Sequence, residues 1–191
     1  MTGGVPEVTT ARLRLRGWRE PDRDELAVLN ADPVVMEYFP EPLDRAQSDA
    51  VFDKWQRNWS EHGYGFWRAE TRADGQLVGI IGLGYATFEA SFTPVVEVGW
   101  RLAVDYWGHG LATEGASASL RFGFDTTDAE SIVAITSAMN VRSQRVMQRL
   151  GMDHEPALDF EHPNVPAGHR LQPHVVYRIS RTAFHQNCLP T

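Results

Sequence analysis

The sequence predicts a single α+β domain whose core is a mixed, mostly antiparallel sheet of about seven strands with helices packed against it. Three observations support this fold class. Short β-branched runs bounded by turn residues alternate with segments of helical periodicity. Three consecutive strand-like segments are followed by strand–helix pairs. No internal repeat or linker divides the 191 residues, so we expect residues 1–191 to form one domain, with 1–9 as a flexible arm.

The first half of the chain is predicted to contain three strands and two helices. The elements are, in order, a strand at 11–18, a short helix after Pro21, a longer helix at about 44–61, and strands at 64–70 and 77–85 joined by a turn at 73–75. The apolar positions expected to face inward are Leu26, Val28 and Leu29 in the first helix and Ala46, Ala50, Val51, Trp55 and Trp59 in the second. Leu13 and Leu15 alternate with arginines, which is typical of a half-buried strand.

The second half is predicted to alternate strands with helices. The elements are a strand at 95–104, a glycine turn and a central helix, a strand at 131–137, a helix at 141–150, a strand beginning within 152–160, a polar loop at 161–173 and a closing strand at 174–180. The central helix carries small residues at helical spacing, namely Ala112, Gly115, Ala116, Ser119 and Gly123. Such a face lets a helix lie close to a sheet.

Composition and charge narrow the classes of partner. The net charge of −7 disfavours a surface for nucleic acid or anionic membrane and slightly favours a cationic small molecule or peptide. No apolar run approaches the roughly 20 residues that span a bilayer, and MTGGVPEVTT lacks the features of a signal peptide. The single cysteine, Cys188, excludes an intrachain disulfide and fits a reducing compartment. We therefore expect a cytoplasmic enzyme or binding domain, either a monomer or a homodimer.

The segment Gly108-His109-Gly110 joins an apolar strand to the central helix. Glycines before a helix N-terminus present bare backbone N–H groups to an anion, and Glu114 in the opening turns suits the positive end of the helix dipole. Leu111-Ala112 replaces the Lys-Ser/Thr of a Walker loop, and Thr113 replaces the last glycine of a dinucleotide fingerprint. The pattern indicates a pyrophosphate site of another kind. By itself the pattern favours a plain tight turn between strand and helix, and the rest of the chain shifts the balance toward a phosphate site.

Three segments together resemble the GNAT superfamily of N-acetyltransferases, and most closely its ribosomal-protein N-terminal acetyltransferase (RimJ/RimL-like) branch. They are Glu97-Val98-Gly99-Trp100-Arg101-Leu102, then Trp107-Gly108-His109-Gly110-Leu111-Ala112, and Asn140-Val141-Arg142-Ser143 followed by Arg149-Leu150-Gly151-Met152. The second fills the superfamily pattern Q/R-x-x-G-x-G/A, except that Trp107 stands where Gln or Arg is usual. Met152 stands where Phe is usual.

The resemblance implies acetyl-coenzyme A as co-substrate and a sheet that splays between its fourth and fifth strands. We expect no metal, because the chain shows no tight metal-ligand spacing. The pantetheine arm would pair with the backbone of Trp100, Arg101 and Leu102 and contact Asn140. The pyrophosphate would lie on the backbone amides of Gly108, His109, Gly110, Leu111, Ala112 and Thr113. A strand amide near Trp100 would stabilise the developing oxyanion.

Two residues are candidates for proton transfer. Glu97 is a charged residue in an otherwise apolar strand, and burial would raise its pKa toward that of a useful general base. The alternative is an ordinary salt-bridge partner at the sheet rim. Ser143, which the resemblance implies lies near the coenzyme sulfur, is the candidate general acid, although it can equally cap a helix with Asn140.

Two further groups of polar residues remain open to several interpretations. Arg142, Arg145 and Arg149 form a basic helical stripe that can meet a 3′-phosphate or can simply be solvated. The segment from 157 to 174 concentrates Asp159, Glu161, His162, His169 and His174. It is expected to lie near the acceptor, so Glu161, His162 or a water molecule are alternative bases to Glu97. No tight metal-ligand spacing appears in it, and a plain polar loop is the remaining alternative.

The sequence as a whole predicts an N-acetyltransferase that moves acetyl from acetyl-coenzyme A to a primary amine, either a protein N-terminus or a small molecule. We expect direct attack within a ternary complex, because no well-placed cysteine offers an acyl-enzyme. A non-catalytic acyl-coenzyme A-binding module and an antibiotic- or metabolite-modifying acetyltransferase are the alternatives.

Overall fold

The structure, a computed structural model, describes residues 4–187, so Cys188 lies outside the described residues. One sheet of nine strands is flanked by five helices in this part of the chain. The strands are β1 (Val8–Thr9), β2 (Leu13–Arg16), β3 (Phe66–Thr71), β4 (Leu77–Ala86), β5 (Val95–Leu102), β6 (Ser131–Ser137), β7 (Asp153–His154), β8 (Phe160–Glu161) and β9 (Pro173–Ser180). The helices are α1 (Arg23–Ala31), α2 (Arg45–His62), α3 (Leu111–Thr126), α4 (Val141–Arg149) and α5 (Arg181–Asn187).

The strand order is β1-β2-β3-β4-β5-β6-β9-β7, with β8 also pairing with β9. All neighbouring strands are antiparallel except β5 and β6, which are parallel. The predicted mixed, mostly antiparallel α+β fold is therefore confirmed. The count exceeds seven by two, because β1 lies in the segment expected to be an arm and because two short strands, β7 and β8, replace the single strand expected to begin within 152–160.

The sheet opens between β5 and β6. These two strands share a single pair of partners, Glu97 and Val133, whereas β5 pairs with β4 along its whole length from Val95 to Leu102. Beyond Glu97 the edge of β5 that faces β6 has no strand partner. The predicted splay is therefore present. The strands on either side of it are numbered β5 and β6, instead of fourth and fifth, because the short strand β1 precedes them.

Helix α3 lies directly against the middle of the sheet. A Cβ at Gly115 would come within 2.4 Å of the Ile81 Cδ1 atom, and one at Gly123 within 2.8 Å of the Leu83 Cδ1 atom. Ala116 and Ser119 are fully buried on the same face. The small-residue stripe does let the helix approach the strands, and this places the N-terminus of α3 at the end of β5.

Helices α1 and α2 cover the opposite face of the sheet. In α2 the buried positions are Ser48, Phe52, Trp55 and Trp59. Ala46 and Ala50 were expected to face inward but are exposed, as is Val28 in α1. The aromatic rings of Phe52, Trp55 and Trp18 pack together and set the rotation of α2 about its axis. This rotation leaves Ala46 and Ala50 on the exposed side of the helix.

Two ends of the described chain differ from expectation. Part of the segment expected to be a flexible arm is docked, because Val8–Thr9 pair with β2 and the Pro6 carbonyl accepts a 2.8 Å hydrogen bond from the Trp67 ring N–H. Helix α5, which was not predicted, packs Phe184 against Phe124. Among residues 4–187 there is no helix with the length and apolar character needed to cross a membrane.

Candidate active site

A first cleft of about 340 Å³ lies where β5 ends, beside the glycine turn and the N-termini of α3 and α4. Nine of the ten residues predicted to bind the cofactor line it: Trp100, Arg101, Leu102, Gly108, Gly110, Leu111, Ala112, Thr113 and Asn140. The tenth, His109, is exposed and does not line the cleft. Residues widely separated in the chain are thus brought to one place.

The glycine turn has the backbone geometry that only glycine adopts easily. Gly108 and Gly110 have φ angles of +78° and +76°, in the left-handed region. Helix α3 starts at Leu111, and its first backbone hydrogen bond runs from the Glu114 N–H to the Gly110 carbonyl at 3.0 Å. The earlier N–H groups, from Leu111 to Thr113, therefore have no acceptor within the helix, and they border the cleft.

One buried side-chain atom in the first cleft also lacks a partner. The Thr113 hydroxyl oxygen is buried and makes no hydrogen bond to any described residue. Buried hydroxyl groups are normally hydrogen-bonded, so an unpaired one beside free helix N–H groups fits a ligand that supplies acceptor atoms. The N-terminus of α3 is accordingly suited to an anion such as a phosphate.

Arg12, just before β2, braces the glycine turn and the start of α3. Its guanidinium group bonds to the Glu114 carboxylate at 2.7 Å and to the His109 carbonyl at 2.8 Å. Burial by itself raises the pKa of Glu114, but the bonds from Thr10 and Arg12 outweigh it and the pKa is lowered. Arg12 was not predicted as a site residue, since an arginine alternating with leucines in a strand looks like any solvent-facing charge.

Helix α4 brings the predicted acid and the basic stripe to the first cleft. The Asn140 side chain accepts a 3.1 Å bond from the Ser143 backbone N–H, so Asn140 is the helix cap. The Ser143 hydroxyl makes no hydrogen bond within residues 4–187 and borders the cleft. Arg145 and Arg149 also border it and have no carboxylate within ion-pair distance in the described part of the chain.

The third arginine of the stripe holds a covering segment, residues 34–39, in place. Arg142 forms an ion pair with Glu37 and lies 4.5 Å from the centre of the Trp107 ring. The Trp107 ring N–H donates to the Leu102 carbonyl at 2.8 Å, so the side chain that departs from the family pattern has a structural role. The covering segment therefore forms part of the wall of the first cleft.

A second cleft of about 470 Å³ adjoins the first, and Phe39 lines both. The Arg101 guanidinium lies 4.3 Å from the centre of the Phe39 ring and donates a hydrogen bond to the Asn30 side chain. Burial lowers the pKa of Arg101 to about 10. Arg101 thus supports the ring that separates the two clefts, a function that its place in the predicted strand did not indicate.

Glu97 lies in the second cleft, half-buried and without a hydrogen bond or ion pair to any described residue. Burial raises the pKa of Glu97, and the positive charge of Lys54 lowers it by less. Room for the carboxylate comes from Gly84 on the neighbouring strand, where a Cβ would lie only 2.8 Å from the Glu97 Oε1 atom. The geometry is that of an unpaired carboxylate open to a cleft, unlike a salt-bridge partner at the sheet rim.

The polar residues near the C-terminus divide into two groups. His162 and His174 line the second cleft, whereas Asp159, Glu161 and His169 do not. Asp159 is engaged elsewhere, with the His154 ring at 3.0 Å and the Val176 N–H at 3.1 Å.

Among the alternative bases, Glu161 is exposed and His162 is a weak base. Burial and the nearby His174 lower the pKa of His162 to about 4. Within residues 4–187, no group of three or more His, Cys, Asp or Glu side chains is arranged to hold a metal ion.

Comparison with known proteins is consistent with this geometry. Residues 12–153 match the family model described as acetyltransferase (GNAT) domain. The chain is 31% identical to the Bacillus subtilis protein YkkB over 80% of this chain and 88% of that protein. It is 29% identical to the FsC-acetyl coenzyme A-N(2)-transacetylase of Aspergillus fumigatus, over 85% of this chain and 72% of that protein.

Solved structures with the same fold include an acetyltransferase from Agrobacterium tumefaciens. It has a TM-score of 0.77 and 25% identity, with 95% of this chain and 98% of that chain covered. Another is spermidine N-acetyltransferase from Vibrio cholerae in complex with CoA and spermine. It has a TM-score of 0.70 and 18% identity, with 91% of this chain and 98% of that chain covered. At 18% identity the second likeness concerns the fold alone.

Proposed function

The chain belongs to the GNAT acetyltransferase family and is an acyltransferase, and from this premise we propose that it moves acetyl from acetyl-coenzyme A to a primary amine. The observation that carries the proposal is the meeting of two unlike clefts at Phe39. One offers unpaired hydrogen-bond donors to an anionic donor molecule, and the other offers an unpaired carboxylate to an amine. The finer placement in the ribosomal-protein branch stays a prediction.

The first cleft suits the donor. The N–H groups of Leu111, Ala112 and Thr113 and the unpaired Thr113 hydroxyl would hold the pyrophosphate. Arg145 and Arg149 add two positive charges without carboxylate partners among the described residues, which suits a further phosphate. The free edge of β5 at Trp100–Leu102 offers main-chain groups for the pantetheine arm.

The second cleft suits the acceptor. Glu97 has a raised pKa and no competing partner within residues 4–187, so it can take the proton that the amine must lose, directly or through water. The acceptor enters on the Glu97 side and the donor on the Gly110 side, which permits direct attack in a ternary complex.

The bound coenzyme supplies an acetyl thioester. Residues of this chain act on the proton that the attacking amine loses and on the sulfur that leaves. Glu97 accepts a proton from the attacking amine as the new carbon–nitrogen bond forms. As the carbon–sulfur bond breaks, the free Ser143 hydroxyl would stabilise the departing thiolate by a hydrogen bond, or would protonate it and recover its own proton from water. A donor–acceptor pair placed in adjacent clefts needs no covalent enzyme intermediate.

A binding and turnover experiment tests the proposal. Calorimetry measures affinity for acetyl-coenzyme A in the parent, Gly110→Val and Gly75→Val. Both glycines have a positive φ, +76° and +74°, but Gly75 lies in the exposed hairpin turn and does not border either cleft. We expect Gly110→Val alone to abolish binding, because a side chain there displaces the turn that presents the N–H groups.

Thiol release with a panel of primary amines then tests transfer. Amine-dependent release of free coenzyme A by the parent supports the proposal. Binding without release on any amine would leave an acyl-coenzyme A-binding module, and equal affinity in Gly110→Val would show that the donor binds elsewhere.

A further inference from the structure

Resting on the proposed function, we infer that the acceptor is a polar monoamine whose neutral hydroxyl or carboxamide group is bound by His162 and His174. The second cleft, which both rings line, is rich in polar side chains. Besides the two histidines these are Lys54, Tyr85, Thr87, Glu97 and Asn164. A cleft of this composition matches an acceptor that makes several hydrogen bonds, because buried polar groups left without partners are costly.

The two imidazole rings have opposite hydrogen-bonding roles. The Nδ1 atom of His174 lies 2.9 Å from the Gln172 carbonyl oxygen, which can only accept, so Nδ1 carries the hydrogen and Nε2 keeps a lone pair. The Nδ1 atom of His162 accepts a 3.2 Å hydrogen bond from the Asn164 backbone N–H, so in the neutral ring Nε2 carries the hydrogen. One ring therefore presents an acceptor and the other a donor.

The rings lie side by side without bonding to each other. Their centres are 4.8 Å apart, and no hydrogen bond joins them. A donor ring and an acceptor ring that lie next to each other in one cleft complement a group that itself both accepts and donates, which is a property of hydroxyl and carboxamide groups. A methyl group would leave both imidazole nitrogens unpaired, and a site built for hydrogen bonding discriminates against such an analogue.

The charges around the second cleft disfavour a polyamine. Glu97 is the only carboxylate among the described residues that line it, and Lys54 adds a positive charge. Burial lowers the pKa of His174, although the Gln172 carbonyl and Glu161 oppose this, and the pKa of His162 is about 4. Both rings are then neutral near pH 7, so a second ammonium group would find no second anion here.

A matched series of three-carbon amines tests the inference. Propylamine, 3-amino-1-propanol, β-alaninamide, 1,3-diaminopropane and β-alanine differ only at the third carbon, which belongs to a methyl, hydroxymethyl, carboxamide, ammoniomethyl or carboxylate group. We expect kcat/KM for the hydroxyl and carboxamide compounds to exceed that for propylamine by about tenfold, the equivalent of one net hydrogen bond. A tetrapeptide with a free N-terminus, which also carries an amide, distinguishes a polypeptide source of the same chemistry from a small molecule.

Substitutions then assign the preference to the rings. His162→Phe and His174→Phe should bring the ratio toward one, whereas His162→Gln, whose amide can replace the Nε2 donor, should retain part of it. Phenylalanine suits position 162 because the ring already packs 4.7 Å from Phe88. His154→Phe is the control, since that ring is exposed and outside the cleft. Thermal unfolding of each variant verifies folding.

The outcomes separate this inference from the proposed function. Turnover of all five amines at similar kcat/KM, or preference for the diamine, overturns the inference and leaves acetyl transfer standing. A preference that survives both phenylalanine substitutions also overturns it. Release of no thiol with any amine, peptide included, overturns the proposed function and this inference with it.

Discussion

Replacing Glu97 with Gln should separate catalysis from donor binding. The substitution keeps the size of the side chain and removes the proton acceptor, and general bases contribute about 10²- to 10⁴-fold to rate. We therefore expect kcat/KM for the amine to fall by about that factor, while calorimetric affinity for acetyl-coenzyme A persists, because Glu97 does not line the first cleft.

The pH profile carries the sharper test. Because the pKa of Glu97 is raised, its base form appears only as the pH rises above the ordinary carboxyl range. In the parent, kcat/KM should rise with pH along a limb that Glu97→Gln removes. The matched control is Glu161→Gln, which removes an exposed carboxylate that does not line the cleft. If the rising limb persists in Glu97→Gln, Glu97 is not the general base. If the limb is lost in Glu161→Gln, Glu161 is the general base instead.

The same raised pKa has an opposite effect on stability. Because the pKa of Glu97 is higher in the folded than in the unfolded chain, the folded chain binds this proton more tightly. The stability that protonation of Glu97 contributes is therefore fully present at low pH and is lost as the pH rises through the folded pKa. Glu97→Gln should therefore unfold at a higher temperature than the parent at pH 7. The difference should disappear below the ordinary pKa of glutamate, and no gain at pH 7 would argue against a desolvated carboxylate.

Gly84→Ala tests the placement of Glu97 without changing its chemistry. The new Cβ would lie 2.8 Å from Glu97 Oε1 and 3.2 Å from the Phe66 ring, so one of these groups must move. Overpacking of this kind costs about 1–3 kcal/mol of folding stability. We expect a lower kcat/KM together with a lower unfolding temperature. Full activity would mean that the carboxylate position does not matter for the reaction.

Three further predictions concern the first cleft. Ser143→Ala should lower kcat with little change in the dissociation constant for acetyl-coenzyme A, and an unchanged kcat when chemistry limits the rate would exclude Ser143 as the acid. Arg12→Gln should weaken acetyl-coenzyme A binding in calorimetry, because it removes the guanidinium bonds to the His109 carbonyl and the Glu114 carboxylate. Unaltered affinity would show that these bonds do not support the binding site. The double variant Arg145→Gln/Arg149→Gln should bind acetyl-coenzyme A more weakly and with a smaller dependence of affinity on salt, because two unpaired positive charges are removed. The same salt dependence as in the parent would show that neither arginine interacts with the bound coenzyme.

Sequence pattern alone determined those features that depend on neighbouring residues. The strand at Ser131–Ser137 was predicted at its observed bounds, because a β-branched run between polar turns strongly favours the extended conformation of a strand. The glycine turn and the small face of α3 were equally local, since positive φ and close helix–sheet approach each demand a particular residue type. Nine of the ten residues that the family resemblance assigned to the cofactor line one cleft in the structure.

Tertiary structure alone decided which distant side chains meet at the site. Phe39 divides the two clefts because Arg101, on another element, supports its ring. Glu97 has room for its carboxylate because Gly84 lies directly opposite it on the neighbouring strand, and neither residue reveals the other in the sequence. Ala46 in α2 was misplaced for a related reason: helix periodicity allows several rotations, and long-range aromatic packing selects one. Such contacts join residues far apart in the chain, so they exist only once the sheet has brought their strands and helices together.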